Sequence, residues 1–94
     1  MSEVADTIWR QISVQTKMAV GARSPYADDD SVTFKVHSKP RRYIIVALTP
    51  RDTYRVRHMR LDRRNRPVEL GTHEDVYVDT LNEVIYRLVH DAKG

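Results

Sequence analysis

The sequence predicts an α+β fold of two layers, in which an N-terminal and a C-terminal helix pack on one face of a three-stranded antiparallel meander. Apolar residues recur at helical spacing near both ends of the chain, and three runs of strand-like alternation follow one another between them. The element order is therefore α-β-β-β-α. The length of 94 residues predicts one domain, spanning residues 1–94.

The first helix is predicted from Glu3 to Gln15, because Val4, Ile8 and Ile12 fall on one side at helical spacing. The following segment, Gln15–Ala22, leaves two alternatives open. It either continues the helix or forms a short fourth strand, since apolar residues alternate towards its end. Residues 23–30 are polar and include a proline, which predicts a loop.

Three strands are predicted at Val32–His37, Arg42–Thr49 and Thr53–Leu61. The first two are joined by the turn Ser38–Pro40, and the second and third by the turn Thr49–Asp52, where Pro50 suits the second turn position. Such short turns predict antiparallel neighbours, with the second strand in the centre.

Alternation along these strands assigns their side chains to two faces. The core face under the helices is predicted to carry Val32, Phe34, Val36, Ile44, Val46, Leu48, Tyr54 and Val56. The opposite face is predicted to carry Lys35, His37, Tyr43, Ile45, Arg55 and Arg57. The assignment assumes the register between strands, and a slip of one residue would reverse a strand.

The second helix is predicted over Glu74–Asp91, with Thr72 in a capping arrangement and acidic residues in the first turn. Its apolar stripe comprises Tyr77, Leu81, Val84, Ile85 and Leu88. The segment 68–70 before it is either a short strand or a lead-in. Val78, Tyr86 and Val89 widen the apolar surface of this helix, and we interpret these three residues as a protein contact.

Charge is distributed unevenly along the chain. Residues 1–34 hold three Lys/Arg and five Asp/Glu, a net of −2, and residues 67–94 hold two and six, a net of −4. Between them, residues 35–66 hold eleven Lys/Arg and two Asp/Glu, a net of +9. Such a basic centre is either a solvated surface or a site for a polyanion or an acidic protein.

The basic centre gives the candidate site. We predict a nucleic-acid-binding surface formed by Lys35, Lys39, Arg41, Arg42, Tyr43, Arg55, Arg57, Arg60, Arg63, Arg64 and Arg66. Arginine side chains match the geometry of phosphate, and a tyrosine ring stacks on a base. The alternative is a protein-interaction module, either an inhibitor of a host factor or a homo-oligomeric structural protein such as a homodimer.

Several other classes have no support in the sequence. The absence of cysteine excludes disulfides and thiolate metal sites and favours a reducing, cytoplasmic setting. No apolar run approaches the roughly 20 residues of a membrane helix. The four histidines lack metal-ligand spacing, and the three glycines are isolated, so we predict no metal, no cofactor and no catalytic site. The chain is accordingly expected not to be an enzyme.

Five short segments resemble a family of small proteins encoded by bacteriophages and other mobile elements. They are Thr7–Gln11, Gly21–Arg23, Val32–Val36, Leu48–Val56 and Val76–Leu81, which together span most of the chain. The resemblance implies a mobile-element context and no particular mechanism. Members of that family often carry acids where this sequence has Arg55 and Arg57, so the basic surface is expected to belong to this protein and not to a shared family function.

Overall fold

The computed structural model describes residues 3–36 and 41–91. The elements in chain order are α1 (Glu3–Gln11), α2 (Val14–Val20), β1 (Arg23–Ala27), β2 (Ser31–Lys35), β3 (Arg42–Leu48), β4 (Tyr54–Leu61), β5 (Pro67–Val76) and α3 (Leu81–His90). The α+β class is confirmed. The prediction of three strands and two helices is wrong, because five strands and three helices lie within the described residues.

All five strands belong to one antiparallel sheet in the order β1-β2-β3-β4-β5. The predicted meander is present as β2, β3 and β4, with β3 at the centre. The two edges are β1, which was predicted as loop, and β5, which includes the segment 68–70 that was left open as a short strand or a lead-in. The assumed register is also correct, since Phe34 pairs with Ile44 and Val46 pairs with Val56. The predicted turn Ser38–Pro40 lies outside the described residues, as does His37 before it.

The helices cover one face of the sheet. Their buried side chains, Ile8, Val20, Leu81, Ile85 and Val89, form one cluster with Ile12, which lies between α1 and α2, and with the strand residues predicted for the core face. Phe34 is completely buried there, and the Trp9 ring meets it edge-to-face with centroids 5.4 Å apart. We call the uncovered side of the sheet the open face.

The first predicted helix is divided in two. Residues 14–20 are helical, which settles the open alternative for the segment after residue 15, and the break falls at Ile12 and Ser13. The side chain of Ser13 caps α2 by accepting from the Thr16 N–H at 3.1 Å. Asn82, on α3, accepts from the Ser13 N–H at 2.8 Å and donates to the Gln11 carbonyl at 3.1 Å. The break is thus stabilised by a residue far away in the sequence.

The predicted loop at residues 23–30 is wrong for its first half, which is the edge strand β1. A bulge lies between Arg23 and Tyr26, with Ser24 in the left-handed region at φ 54°. The bulge interrupts the two-residue period, and Pro25 lacks the N–H that an inner strand would need. Because of both features, the sequence of β1 lacks the regular alternation that predicts a strand.

The second helix begins later than predicted. Residues 72–76 complete β5, so Thr72 does not cap a helix, and α3 starts at Leu81 after Thr80. Strand β5 has register shifts opposite β4, and Asp75 there has φ 53°. The consecutive acids Glu74 and Asp75 are typical of the first turn of a helix, which is why the end of this strand was predicted as helical. Tyr77, placed in the apolar stripe, lies instead in the connection and is exposed.

Two hairpin turns have the same hydrogen-bond pattern and the same backbone conformation. The Asp52 N–H donates to the Thr49 carbonyl at 3.1 Å, and the Asn65 N–H donates to the Asp62 carbonyl at 2.9 Å. Asp52 and Asn65 both adopt left-handed φ values, of 61° and 60°. This is the pattern of a turn closed by one left-handed residue, and it confirms the turn predicted at Thr49–Asp52.

The polar side chain of His58 is enclosed in the core. His58 on β4 is completely buried, and neither ring nitrogen has a hydrogen-bond partner among the described residues. Burial, followed by the nearby Arg42 guanidinium, lowers the pKa of His58. His58 pairs with Gly71, where a Cβ would meet Leu88 at 3.0 Å. The glycine therefore allows α3 to approach the sheet closely.

None of the helices in the described ranges combines the length and the apolar character required to cross a bilayer.

Candidate nucleic-acid interface

The predicted basic residues divide between the two faces of the sheet. Lys35, Tyr43, Arg55 and Arg57 lie on the open face, as predicted from the alternation. Arg42 does not, because it precedes Ile44 by two residues on β3 and shares its core-facing side. It is only 4% exposed. Arg42 therefore points away from the open face, although it is one of the residues that line the cleft described below.

Arg60 pairs with Arg42 in the β3–β4 register and shares that side of the sheet, where it is half-buried. Its position at the end of β4 separates it from Arg55 and Arg57. Lys39 lies outside the described residues. The predicted set is therefore not one continuous surface.

Strands β4 and β5 form what we call the ion-paired half of the open face. Arg55 Nε donates to Glu74 Oε1, and Arg57 Nε donates to Glu69 Oε1 at 3.0 Å. Each arginine thus has a carboxylate on the neighbouring strand, and the charges cancel locally. This pairing was not predicted, because residues 68–70 were left open as a short strand or a lead-in and Glu74 was assigned to a helix.

The turn after β4 is organised by Asp62. Its Oδ1 accepts the N–H groups of Arg64 and Arg66 at 2.8 and 2.9 Å, and its Oδ2 accepts from Arg66 Nε at 3.2 Å. These contacts, led by the Arg66 backbone, lower the pKa of Asp62. Arg63 and Arg64 are exposed in this turn, and within residues 3–36 and 41–91 neither forms an ion pair.

Strands β1, β2 and β3 form a second region, which we call the cationic half. A cleft of about 520 Å³ there is lined by Arg23, Tyr26, Lys35, Arg41 and Tyr43, among others. No aspartate or glutamate is among its lining residues in the described part of the chain. Arg41 is positioned by donating from Nη1 to the Asp62 carbonyl at 2.9 Å and to Asn65 Oδ1 at 3.3 Å.

Arg23 and Lys35 are directly opposite each other across the β1–β2 pair, and both are exposed. Like charges in this arrangement repel and destabilise the sheet. Over the described ranges, neither forms an ion pair with a carboxylate. The cationic half thus contains an uncompensated pair of positive charges beside two tyrosine rings.

Arg23 and Tyr26 were missed in the sequence because residues 23–27 were interpreted as loop. A signal was present in the sequence. A tyrosine and an alanine precede three consecutive aspartates and then a clear strand, which is the composition of a hairpin with a polar turn.

The fold also separates charge along the strands. One end of the sheet, the basic end, carries Arg23, Lys35, Arg41, Arg42, Arg60, Arg63, Arg64 and Arg66. The other, the acidic end, carries Asp28, Asp29, Asp30, Asp52, Asp75 and Asp79. Since β4 runs between them, the two ends are about 23 Å apart. Most cations of the basic centre thus lie at one end of the sheet, while Arg51 is at the acidic end, paired with Asp75, and Arg55 and Arg57 lie between the two ends.

The predicted protein contact is only partly available. Val78 and Tyr86 are exposed, and the Tyr86 ring stacks on His90 with centroids 4.2 Å apart. Val89 is 3% exposed and belongs to the core, so it does not present a contact surface. The error arose because Val89 borders the apolar stripe, while packing against α2 and the sheet buries that border.

No group of three or more histidine, aspartate or glutamate side chains converges to hold a metal ion within residues 3–36 and 41–91. Comparison with protein-family models, with curated proteins and with solved structures finds no match to this chain.

Proposed function

We propose that this protein binds nucleic acid through the cationic half of the open face, without catalysing a reaction. The observation that carries the proposal is the pair Arg23 and Lys35, facing each other without a carboxylate. A phosphate between them would relieve their repulsion, because each cation donates charge-assisted hydrogen bonds to phosphate oxygens. Arg41 supplies a third cation in the same cleft. A local arrangement that costs stability is expected mainly at functional positions.

The separation of charge supports a defined orientation of the ligand. A polyanion is attracted to the basic end of the sheet and repelled from the acidic end, so the strand of nucleic acid is expected to cross the sheet near Lys35 and Arg41. Few base-specific hydrogen bonds are expected, because arginine and lysine contacts to phosphate carry no sequence information directly.

Fluorescence anisotropy with labelled oligonucleotides at 50 and 200 mM salt tests this proposal. Three phosphate contacts predict a salt slope of about −2 for single strands, and hence roughly 20-fold weaker binding at the higher salt concentration. The variant Arg23→Gln with Lys35→Gln is expected to bind at least about tenfold more weakly at 50 mM salt, because it removes two of those contacts.

The matched control is Arg55→Gln with Arg57→Gln. Both double variants lower the net charge by two on the same face, but the control changes the ion-paired half. We expect the control to bind within about threefold of the wild type. Equal losses for the two variants would show that affinity follows net charge alone. No binding to any oligonucleotide at 50 mM salt would refute the proposal.

A protein contact on the helix layer is a second candidate function, as an inhibitor of another protein or as a homodimer. Val14 and Met18 on α2 are 67% and 76% exposed, and Tyr86 on the neighbouring α3 is 47% exposed. Exposed apolar side chains on adjacent helices favour an interface. Size-exclusion chromatography with light scattering tests the homodimer, and Met18→Glu with Tyr86→Glu should then yield a monomer.

A further inference from the structure

We infer that the nucleic acid is single-stranded, and that Tyr26 and Tyr43 each stack on one of its bases. The inference rests on the proposed function and adds the class of ligand. Both rings line the cleft of the cationic half, where Tyr26 is 68% exposed and Tyr43 is half-buried. They line the same cleft as Lys35 and Arg23, the cations proposed to hold the phosphates.

The register fixes the relative positions of the two rings. Tyr26 pairs with Thr33, and Thr33 pairs with Ile45, so these three residues form one row across the sheet. Lys35 pairs with Tyr43 in the next row, two residues after Thr33 on β2 and two residues before Ile45 on β3. Tyr26 and Tyr43 are therefore two strands and one row apart, which corresponds to about 12 Å between their Cα atoms.

This separation favours unstacked bases. Neighbouring bases in a duplex are about 3.4 Å apart along the helix axis, and their faces are covered by one another. A ring on each of two residues whose Cα atoms are about 12 Å apart needs its own uncovered base face, which bases inside a duplex stack do not offer. A single strand can splay its bases outward, place each one on an aromatic ring and leave its phosphates on arginine and lysine. The cleft between Tyr26 and Tyr43 has the size of a small-ligand pocket, which admits a base turned away from its neighbours.

A binding assay with one sequence in two forms tests the inference. A labelled 12-mer of DNA, and the same 12-mer as RNA, are titrated as single strands and as annealed duplexes at 50 mM salt. We expect each single strand to bind at least about tenfold more tightly than its duplex. Tyr26→Leu with Tyr43→Leu should weaken single-strand binding at least about tenfold, because base–aromatic stacking is lost while side-chain bulk is kept.

Two sets of controls isolate the stacking contribution. Tyr26→Phe with Tyr43→Phe keeps both rings and should bind single strands like the wild type. Tyr77→Leu with Tyr86→Leu removes two exposed rings outside the cleft and should also leave binding unchanged. If Tyr43→Leu prevents folding, the single variant Tyr26→Leu carries the test, since its side chain is mostly exposed and makes little contribution to the core.

The outcomes separate this inference from the proposed function. Duplex binding equal to or tighter than single-strand binding, with loss in Arg23→Gln and Lys35→Gln, would overturn the inference and leave the proposed function standing. Single-strand binding that the Leu variants do not weaken would also overturn it, because phosphate contacts alone would then account for affinity. Absence of binding to every oligonucleotide would overturn both.

Discussion

The cationic half and the ion-paired half of the open face carry similar positive side chains in different surroundings. In the ion-paired half, Arg55 and Arg57 of β4 each form an ion pair with a glutamate of β5. In the cationic half, Arg23 and Lys35 repel each other across β1–β2, and no described carboxylate joins them. A count of basic residues treats these regions as equal, although only one of them has uncompensated charge to offer a ligand.

The net charge of a sequence segment does not show where uncompensated charge lies in the folded protein. The two glutamates of β5 come from the acidic last third of the sequence, and the antiparallel pairing of β5 with β4 places them on the basic centre. Folding thus neutralises one part of the basic stretch and leaves the other exposed. Four experiments test this difference, and the first removes a core residue that supports both halves.

The largest effect is expected from Phe34→Ala. Phe34 is fully buried beneath the cationic half and belongs to the core that supports the whole sheet. Its truncation should lower the free energy of unfolding by about 3–5 kcal/mol, because the lost burial leaves a cavity against Trp9. Urea denaturation measures the loss. The neighbouring Thr33→Ala, on the open face, should cost less than about 1 kcal/mol, and equal losses would mean that both faces are packed alike.

The second experiment converts the ion-paired half into a cationic one. Glu69→Gln with Glu74→Gln releases Arg57 and Arg55, and single-strand affinity at 50 mM salt should rise about tenfold. Two added phosphate contacts would steepen the salt slope by about 1.4. Anisotropy at several salt concentrations measures both changes.

The control for this change is Glu3→Gln with Glu83→Gln, which adds the same charge on the helix layer. It should raise affinity much less and leave the slope nearly unchanged, because a distant charge acts only through screened attraction. A steeper slope in the control as well would show that the position of the charge does not matter.

The third experiment uses pH to separate stability from binding. His58 has a pKa below its ordinary value because it is buried near Arg42. The unfolded chain therefore binds a proton at His58 as the pH falls through about 6.5, while the folded chain does not. The stability that neutral His58 contributes is therefore fully present above about pH 6.5. It decreases as the pH falls from there to the lowered pKa of His58 in the folded protein.

Thermal unfolding between pH 7.5 and pH 5 measures this dependence, above the range in which carboxylates titrate. The melting temperature of the wild type should fall over this interval, and that of His58→Leu should change much less. Binding at temperatures well below melting should vary little with pH, because no histidine lines the cleft in the described residues. A pH-independent melting temperature in the wild type would contradict the assigned burial of His58.

Much of the fold could be predicted from the sequence. The core face followed from the two-residue period of β2, β3 and β4, in which buried side chains alternate with more exposed ones except at His58 and Met59, which are both buried. The parts that could not be predicted lack such a local signal. Ser24 interrupts the period of β1 with a bulge, and the break before α2 depends on Asn82, about 70 residues away.

The site was predictable only in part, for the same reason. The run of arginines identified the basic region, and Lys35 and Tyr43 lie in the cleft as well as in the predicted set. Whether each charge is compensated depends on the residue that faces it on the neighbouring strand. Glu74 could be assigned to Arg55 only once β5 was known to be a strand, and Arg23 to Lys35 only once β1 was known. The local sequence shows which residues are charged, but not which residues the fold places beside them.

The smallest effect concerns the stability supplied by the ion pairs themselves. The side chains of Arg55 and Glu74 are about half exposed, so water and salt screen their attraction. A double-mutant cycle with Arg55→Ala and Glu74→Ala should give a coupling energy of about 0.2–1 kcal/mol in urea unfolding. The helical pair Glu83 and Arg87 is a matched control and should give about 0.3–0.5 kcal/mol. A coupling above about 2 kcal/mol would mean that the pair holds β5 to the sheet. A value within the expected range would mean that it contributes little to stability and acts mainly to neutralise Arg55.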